Sequence, residues 1–133
     1  MPIKNGRLIL ERQISDFAER FTIDPNNLLS VGTAVRLASS GNYEIQVCDD
    51  SDDNRFIGVI YSLDRTGNPY VALMGRCIVQ TRGTVNKGDP LILNSSKGKF
   101  NASTGTGQYN RRAVALTSTT DEHGTVEAVL VGG

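Results

Sequence analysis

From Gly32 to its end the chain is cut into short runs of β-branched and apolar residues. Clusters of Gly, Asn, Asp and Ser separate them at roughly 8- to 12-residue intervals. A helical bundle needs apolar residues recurring three and four apart over longer stretches, and this punctuation leaves no room for them. The runs that read as strands are Ala34–Leu37, 43–48, 57–61, 70–74, 76–81, Pro90–Leu93, 113–117 and 126–131. In Tyr43-Glu44-Ile45-Gln46-Val47 apolar and polar residues alternate, so one face can be buried while the other meets water. The run 126–131 is apolar throughout after Glu127, as expected of a strand covered on both faces or lying at a subunit contact.

The pattern therefore predicts a mainly β fold, a barrel or a sandwich, in a single domain over residues 32–133. A chain of 133 residues is long enough to bury roughly two-thirds of its unfolded surface without a metal or disulfide framework. The second part echoes the first at an offset of 56 residues. Gly32, Val35, Leu37, Ser39 and Ser40 line up with Gly88, Leu91, Leu93, Ser95 and Ser96, and Val59 to Ser62 line up with Ala115 to Ser118. This is either a duplicated β unit, divided as 32–87 and 88–133, or the coincidence of two ordinary hairpins.

Residues 1–31 differ, mixing charges with isolated large apolar residues, and read as an N-terminal arm. Ile14, Phe17, Ala18 and Phe21 have the spacing of one apolar helix face, which predicts a short helix over 11–21. Phe17, Phe21 and Ile23 also share one side of an extended chain, so a paired edge strand competes with the helix. The run Leu8, Ile9, Leu10 is too short for a signal-peptide core or a membrane span, which points to a protein made in a cytoplasm. Cys48 and Cys77, each inside an apolar run, read as buried reduced thiols, with a disulfide between them as the alternative.

No constellation of residues points to catalysis, a cofactor or a metal. Lys plus Arg and Asp plus Glu both total 14, so no global field recruits nucleic acid or an anionic membrane. The cluster Asp49, Asp50, Ser51, Asp52, Asp53, Asn54 fails the EF-hand template, with Arg55 where Gly is needed and Tyr61 where a bidentate Glu belongs. It reads as a solvated turn. His123 stands in a polar stretch beside Asp121 and Gly124, without a nucleophile elbow or a companion ligand. Gly105 and Gly107 lack the third glycine of a dinucleotide fingerprint, because Asn110 stands there. Lys97, Lys99, Arg111 and Arg112 with Phe100 and Tyr109 could stack bases and hold phosphates, the basis of an alternative reading as an OB- or SH3-like binder of single-stranded nucleic acid. An enzyme of barrel fold drawing acid from Asp49 to Asp53 is the other alternative.

Taken in order, GTAVRLA at Gly32, FIGVIYS at Phe56, YVALMGRCIVQTRGTVNKGDPLIL from Tyr70 and RAVALTS at Arg112 resemble the capsid decoration (cement) proteins of tailed bacteriophages. The resemblance spans about residues 28–133 and lies in the order of the words, each of which alone is ordinary β-hairpin sequence. It implies a compact barrel or tulip-like fold on the outside of an assembled phage head, binding the major capsid protein. It also implies a homo-oligomer, commonly a trimer with a dimer as the alternative, and no catalytic residues or cofactor. Ile3, Leu8, Ile9 and Leu10 are then expected to add a strand to a coat or neighbour sheet edge. Ile14, Phe17 and Phe21 are expected to contribute apolar anchors. Packing of the two phenylalanines beneath the chain's own β domain is the competing expectation.

Overall fold

A computed structural model describes residues 18–23, 30–38, 43–48, 55–94, 98–103 and 111–131, and none of these is helical. The first six strands are β1 (Ala18–Arg20), β2 (Thr22–Ile23), β3 (Ala34–Leu37), β4 (Glu44–Val47), β5 (Phe56–Leu63) and β6 (Pro69–Ala72). They form one sheet in the order β1-β6-β5-β3-β4-β2. Its two ends, β1 and β2, are halves of one extended stretch interrupted only at Phe21, so the sheet returns on itself through the chain. The remaining strands, β7 (Gly75–Arg82), β8 (Pro90–Leu93), β9 (Phe100–Ala102), β10 (Ala113–Ala115) and β11 (His123–Leu130), form a closed barrel in the order β10-β11-β7-β9-β8.

Local chemistry sets the turns. Between β5 and β6 one carboxylate oxygen of Asp64 accepts from the Thr66 and Asn68 amides, both at 2.9 Å, and from the Thr66 hydroxyl at 2.7 Å. Gly67 takes a φ of 86° that a side chain would resist. The turn before β8 is closed by Asp89, whose carboxylate accepts from the Asn86 amide at 2.9 Å, with Gly88 at a φ of 91°.

The two groups of strands repeat one topology. In the first, β2 pairs parallel with β4, β4 with β3, β3 with β5 and β5 with β6. In the second, β7 pairs parallel with β9, β9 with β8, β8 with β10 and β10 with β11. The registers place Phe21, Val35, Ile45, Ile60 and Val71 at the positions of Val79, Leu91, Phe100, Ala115 and Ala128. The first five are the buried members of one core cluster, and the second five all belong to the other. The repeat thus relates residues 18–72 to 75–130, rather than 32–87 to 88–133.

The first sheet is buried on both faces. Ala34, Val59 and Ala72 point away from Ile60 and Val71, form a row across β3, β5 and β6, and are fully buried in one continuous cluster with the barrel core. The barrel meets this sheet along the seam between β7 and β9. The Gln80 amide donates to the Gly32 carbonyl at 2.9 Å, and the Ala34 amide donates to the Gly98 carbonyl at 2.9 Å. The Gly98 amide donates to the Cys48 carbonyl at 2.7 Å. Phe56 and Phe100 meet edge to face with centroids 6.0 Å apart.

The helix expected over 11–21 is not formed where the structure describes it, since residues 18–20 are strand β1. A helix of this length is marginal alone, whereas the extended chain gains backbone bonds to β6 and β4 and buries Phe21. This is the competing edge-strand reading, but its partners lie in the same chain. For strand β11 the structure excludes one of the two expectations, cover on both faces, and does not bear on the other, a subunit contact. Val126, Ala128 and Leu130 are buried while Glu127 and Val129 are only half-buried, so it alternates and is not sealed on both faces.

Candidate interaction surface

The half-exposed side of β11 continues across its neighbours. Val114 lies opposite Val129 on one side and Pro90 on the other, making a row across β8, β10 and β11 that is half-buried throughout. Beside it Ile78 lies opposite Glu127, and Arg76 lies opposite Val129. Ile78 is 48% and Leu116 42% exposed, so the outer face of the barrel carries apolar side chains that the described residues do not seal. Scattered exposed apolar residues are ordinary, but a contiguous row on one sheet face marks a surface suited to association.

An open groove borders this face, lined by Val31, Tyr61, Arg76, Cys77, Ile78 and Glu127. Arg76 bridges to Glu127, donating through Nε at 2.9 Å and also through its terminal nitrogen. Both side chains are substantially exposed, so the pair adds at most about 1 kcal/mol to stability and serves to hold two long side chains flat against the strands. Apolar walls with one internally neutralised ion pair can bind a matching surface.

Cys77 lines the groove, and burial pushes its thiol up to about 12. The thiolate is therefore scarce at neutral pH. Cys48 and Cys77 are both buried free thiols, and neither is joined in a disulfide. The folded state holds the Cys77 proton more tightly than an ordinary thiol of 9.0 does. Its contribution to stability is thus complete below pH 9.0 and falls as pH rises toward 12. The expected result is that wild-type protein loses more urea resistance between neutral pH and about pH 10.5 than Cys77→Val does. Equal losses in the two proteins would refute it.

The other sequence-derived candidates separate clearly. Ile3, Leu8, Ile9, Leu10, Ile14 and Phe17 lie outside the described residues. Phe21 is 7% exposed and packed with Val35, Ile45, Ile60 and Val71, so it is an internal anchor and is withdrawn as a contact for coat or neighbour. Asp49 to Asn54 and the loop holding Gly105, Gly107 and Tyr109 also lie outside the described residues. His123 opens β11 opposite Arg82, and its Nδ1 is 2.9 Å from the Lys99 ammonium. Next to it, Arg82 Nε donates to Glu122 at 2.9 Å and holds that carboxyl below its usual range. These are exposed pairings at one edge of the barrel.

The described members of the base-stacking cluster do not assemble as the sequence suggested. Phe100 is fully buried in the barrel core, and the Arg112 guanidinium lies 5.4 Å from the Phe56 ring centre. An aromatic ring inside a core offers no face to a base. The sequence marked the run in β11 as a candidate subunit contact but not the outer face that β11 shares with β8 and β10. Its signal was the unbroken apolar run after Glu127, which shows that β11 has apolar residues on both sides.

No family model matches the sequence, and no curated protein matches it. Among solved structures, the crystal structure of the C-terminal fragment of gene product 12 of bacteriophage phi29 has the same fold, with a TM-score of 0.62 and 14% sequence identity. The likeness covers 87% of this chain and 100% of the fragment.

Proposed function

We propose that this protein is a capsid decoration protein, binding the outer surface of an assembled phage head and stabilising the coat lattice without catalysing a reaction. The observation that carries this reading is that the chain shares the fold of a phage protein, the phi29 gene product 12 fragment, over the whole length of that fragment. The ordered series of sequence words supports it, because those words fall on the paired strands that build the two halves. A protein that binds only the assembled lattice adds its binding free energy to the stability of that lattice, and this needs complementary area rather than reactive groups. The major capsid protein is the partner, the capsid exterior is the location after synthesis in the host cytoplasm, and residues 1–13 supply the clamp.

The test is co-sedimentation with expanded capsids that lack the protein, using the full chain and a version without residues 1–13. Saturable binding in a fixed ratio to coat, weakened by the truncation, is expected. Absence of binding by the full chain would sink the proposal. Strongly salt-dependent binding to oligonucleotides would revive the nucleic-acid reading, for which the burial of Phe100 is the chief obstacle.

A further inference from the structure

The duplication says what the first half does with a face that the second half leaves uncovered. In the first half the row Ala34–Val59–Ala72 is sealed by the barrel. The same registers place Pro90–Val114–Val129 at the equivalent row of the second half. That row has kept apolar residues, with larger side chains at each position than the alanines it matches at Ala34 and Ala72. It remains half-buried.

The surface that does the sealing also has an equivalent. The barrel docks through the seam between β7 and β9, with the Gly98 turn inserted against Thr33, Ala34 and Val47. The matching seam of the first half lies between β2 and β4, and the residue matching Gly98 is Tyr43. Both have left-handed backbones, with φ of 71° and 59°. Tyr43 is the one described non-glycine residue in that conformation, which costs on the order of 1 kcal/mol and selects against a β-branched or bulky residue. Yet it is 73% exposed, resting against Phe21 at 6.1 Å between ring centres, with its other side open. A rigid aromatic held outward at this position, where conformation alone would favour glycine, suits an interface anchor.

We infer that copies of this chain associate head to tail, the Tyr43 turn and β2–β4 seam of one copy covering the Pro90–Val114–Val129 row of the next. The contact repeats between chains the docking that joins the two halves within a chain, so the occupant is a second copy. Such an interface uses two different patches and builds rings or open chains according to whether its rotation closes. The inference rests on the internal repeat and not on the proposed binding to coat.

The experiment is sedimentation velocity on the full chain over a wide concentration range, with Tyr43→Gly, Tyr43→Asp and Val129→Lys. The glycine suits the left-handed backbone and leaves the fold intact, and Val129 faces outward, so each variant is expected to melt cooperatively like the wild type. Wild-type protein is expected to self-associate, and each variant to weaken association at least tenfold. A mixture of Tyr43→Asp with Val129→Lys is expected to give dimers and nothing larger, because each variant retains the patch the other lacks. A wild-type monomer at all concentrations, association unchanged in folded variants, or no dimers in the mixture would overturn the inference. The last result would point to a symmetric contact or to residues 1–17 as occupant. Any of these would leave co-sedimentation with capsids unaffected as the test of the proposed function.

Discussion

Replacing Phe100 by alanine is expected to cost about 3–5 kcal/mol of folding stability, which for a chain of this length lowers Tm by about 10–15 °C. The ring is fully buried in the larger core cluster and meets Phe56 edge to face at 6.0 Å. It therefore fills the barrel and joins it to the first sheet at once, and little around it can collapse into the space left. Strand β9, only three residues long, is paired with β8 and, at a single position, with β7, so removing its one large apolar side chain loosens the barrel where its ladder is shortest. Ile45→Ala, at the matching place in the first half, is expected to cost less, about 2–4 kcal/mol, because the ring-to-ring contact between halves is not involved. Chemical and thermal denaturation measure both. A loss below about 1 kcal/mol for Phe100→Ala would mean that the ring is not a core residue and would return it to the list of candidate base-stacking groups.

Gly58→Ala is the second large effect, expected at about 3 kcal/mol or more. A Cβ at this position would stand 2.1 Å from the Ala72 carbonyl oxygen and 2.9 Å from Val71 Cγ1. The first obstacle is backbone, so β6 would have to move as a unit, and with it the row that seats the barrel. Backbone conformation is not the cause, since Gly58 does not have a positive φ. The comparison that isolates the cause is Ala113, which occupies the equivalent position in the second half, is fully buried and accommodates its methyl group. Ala113→Gly is expected to cost about 1–2 kcal/mol, from the lost methyl and the added freedom of the unfolded chain. If Gly58→Ala proved no worse than that, the close approach of β5 and β6 would be looser than the structure has it.

Period-two patterning carried much of the fold into view. Ala34–Leu37 and Pro90–Leu93 form as strands with the bounds read from the sequence, the runs 57–61 and 76–81 reappear inside longer strands, and the run 126–131 overlaps β11, which starts earlier and ends at Leu130. Phe100–Ala102 was not legible, because Phe-Asn-Ala holds too few apolar residues to show a period, and its state is decided by pairing with β8. Residues 18–23 were ambiguous for a related reason. Phe21 fits an apolar helix face and an apolar strand face equally, and only the free edges of β6 and β4 select the extended form.

The candidate site was less legible than the fold. An apolar run states that a strand has two apolar faces without stating which is covered. Val59 and Val114 are the same residue type at equivalent positions, one sealed and one not, and nothing in their local sequence separates them.

By itself the sequence determined that the chain would be mainly β, built from short strands joined by Gly, Asn and Asp turns, because alternation and turn chemistry act over a few neighbouring residues. Only the tertiary structure decided that the duplicated units divide at 73–74, that residues 18–23 complete the first of them, and that Phe21 and Phe100 belong to cores. It also decided which of two equivalent apolar rows is fully buried and which, among the described residues, stays half-buried. Those outcomes depend on pairing and burial between residues far apart in the chain, and such contacts are settled by which surfaces remain free once the strands have closed.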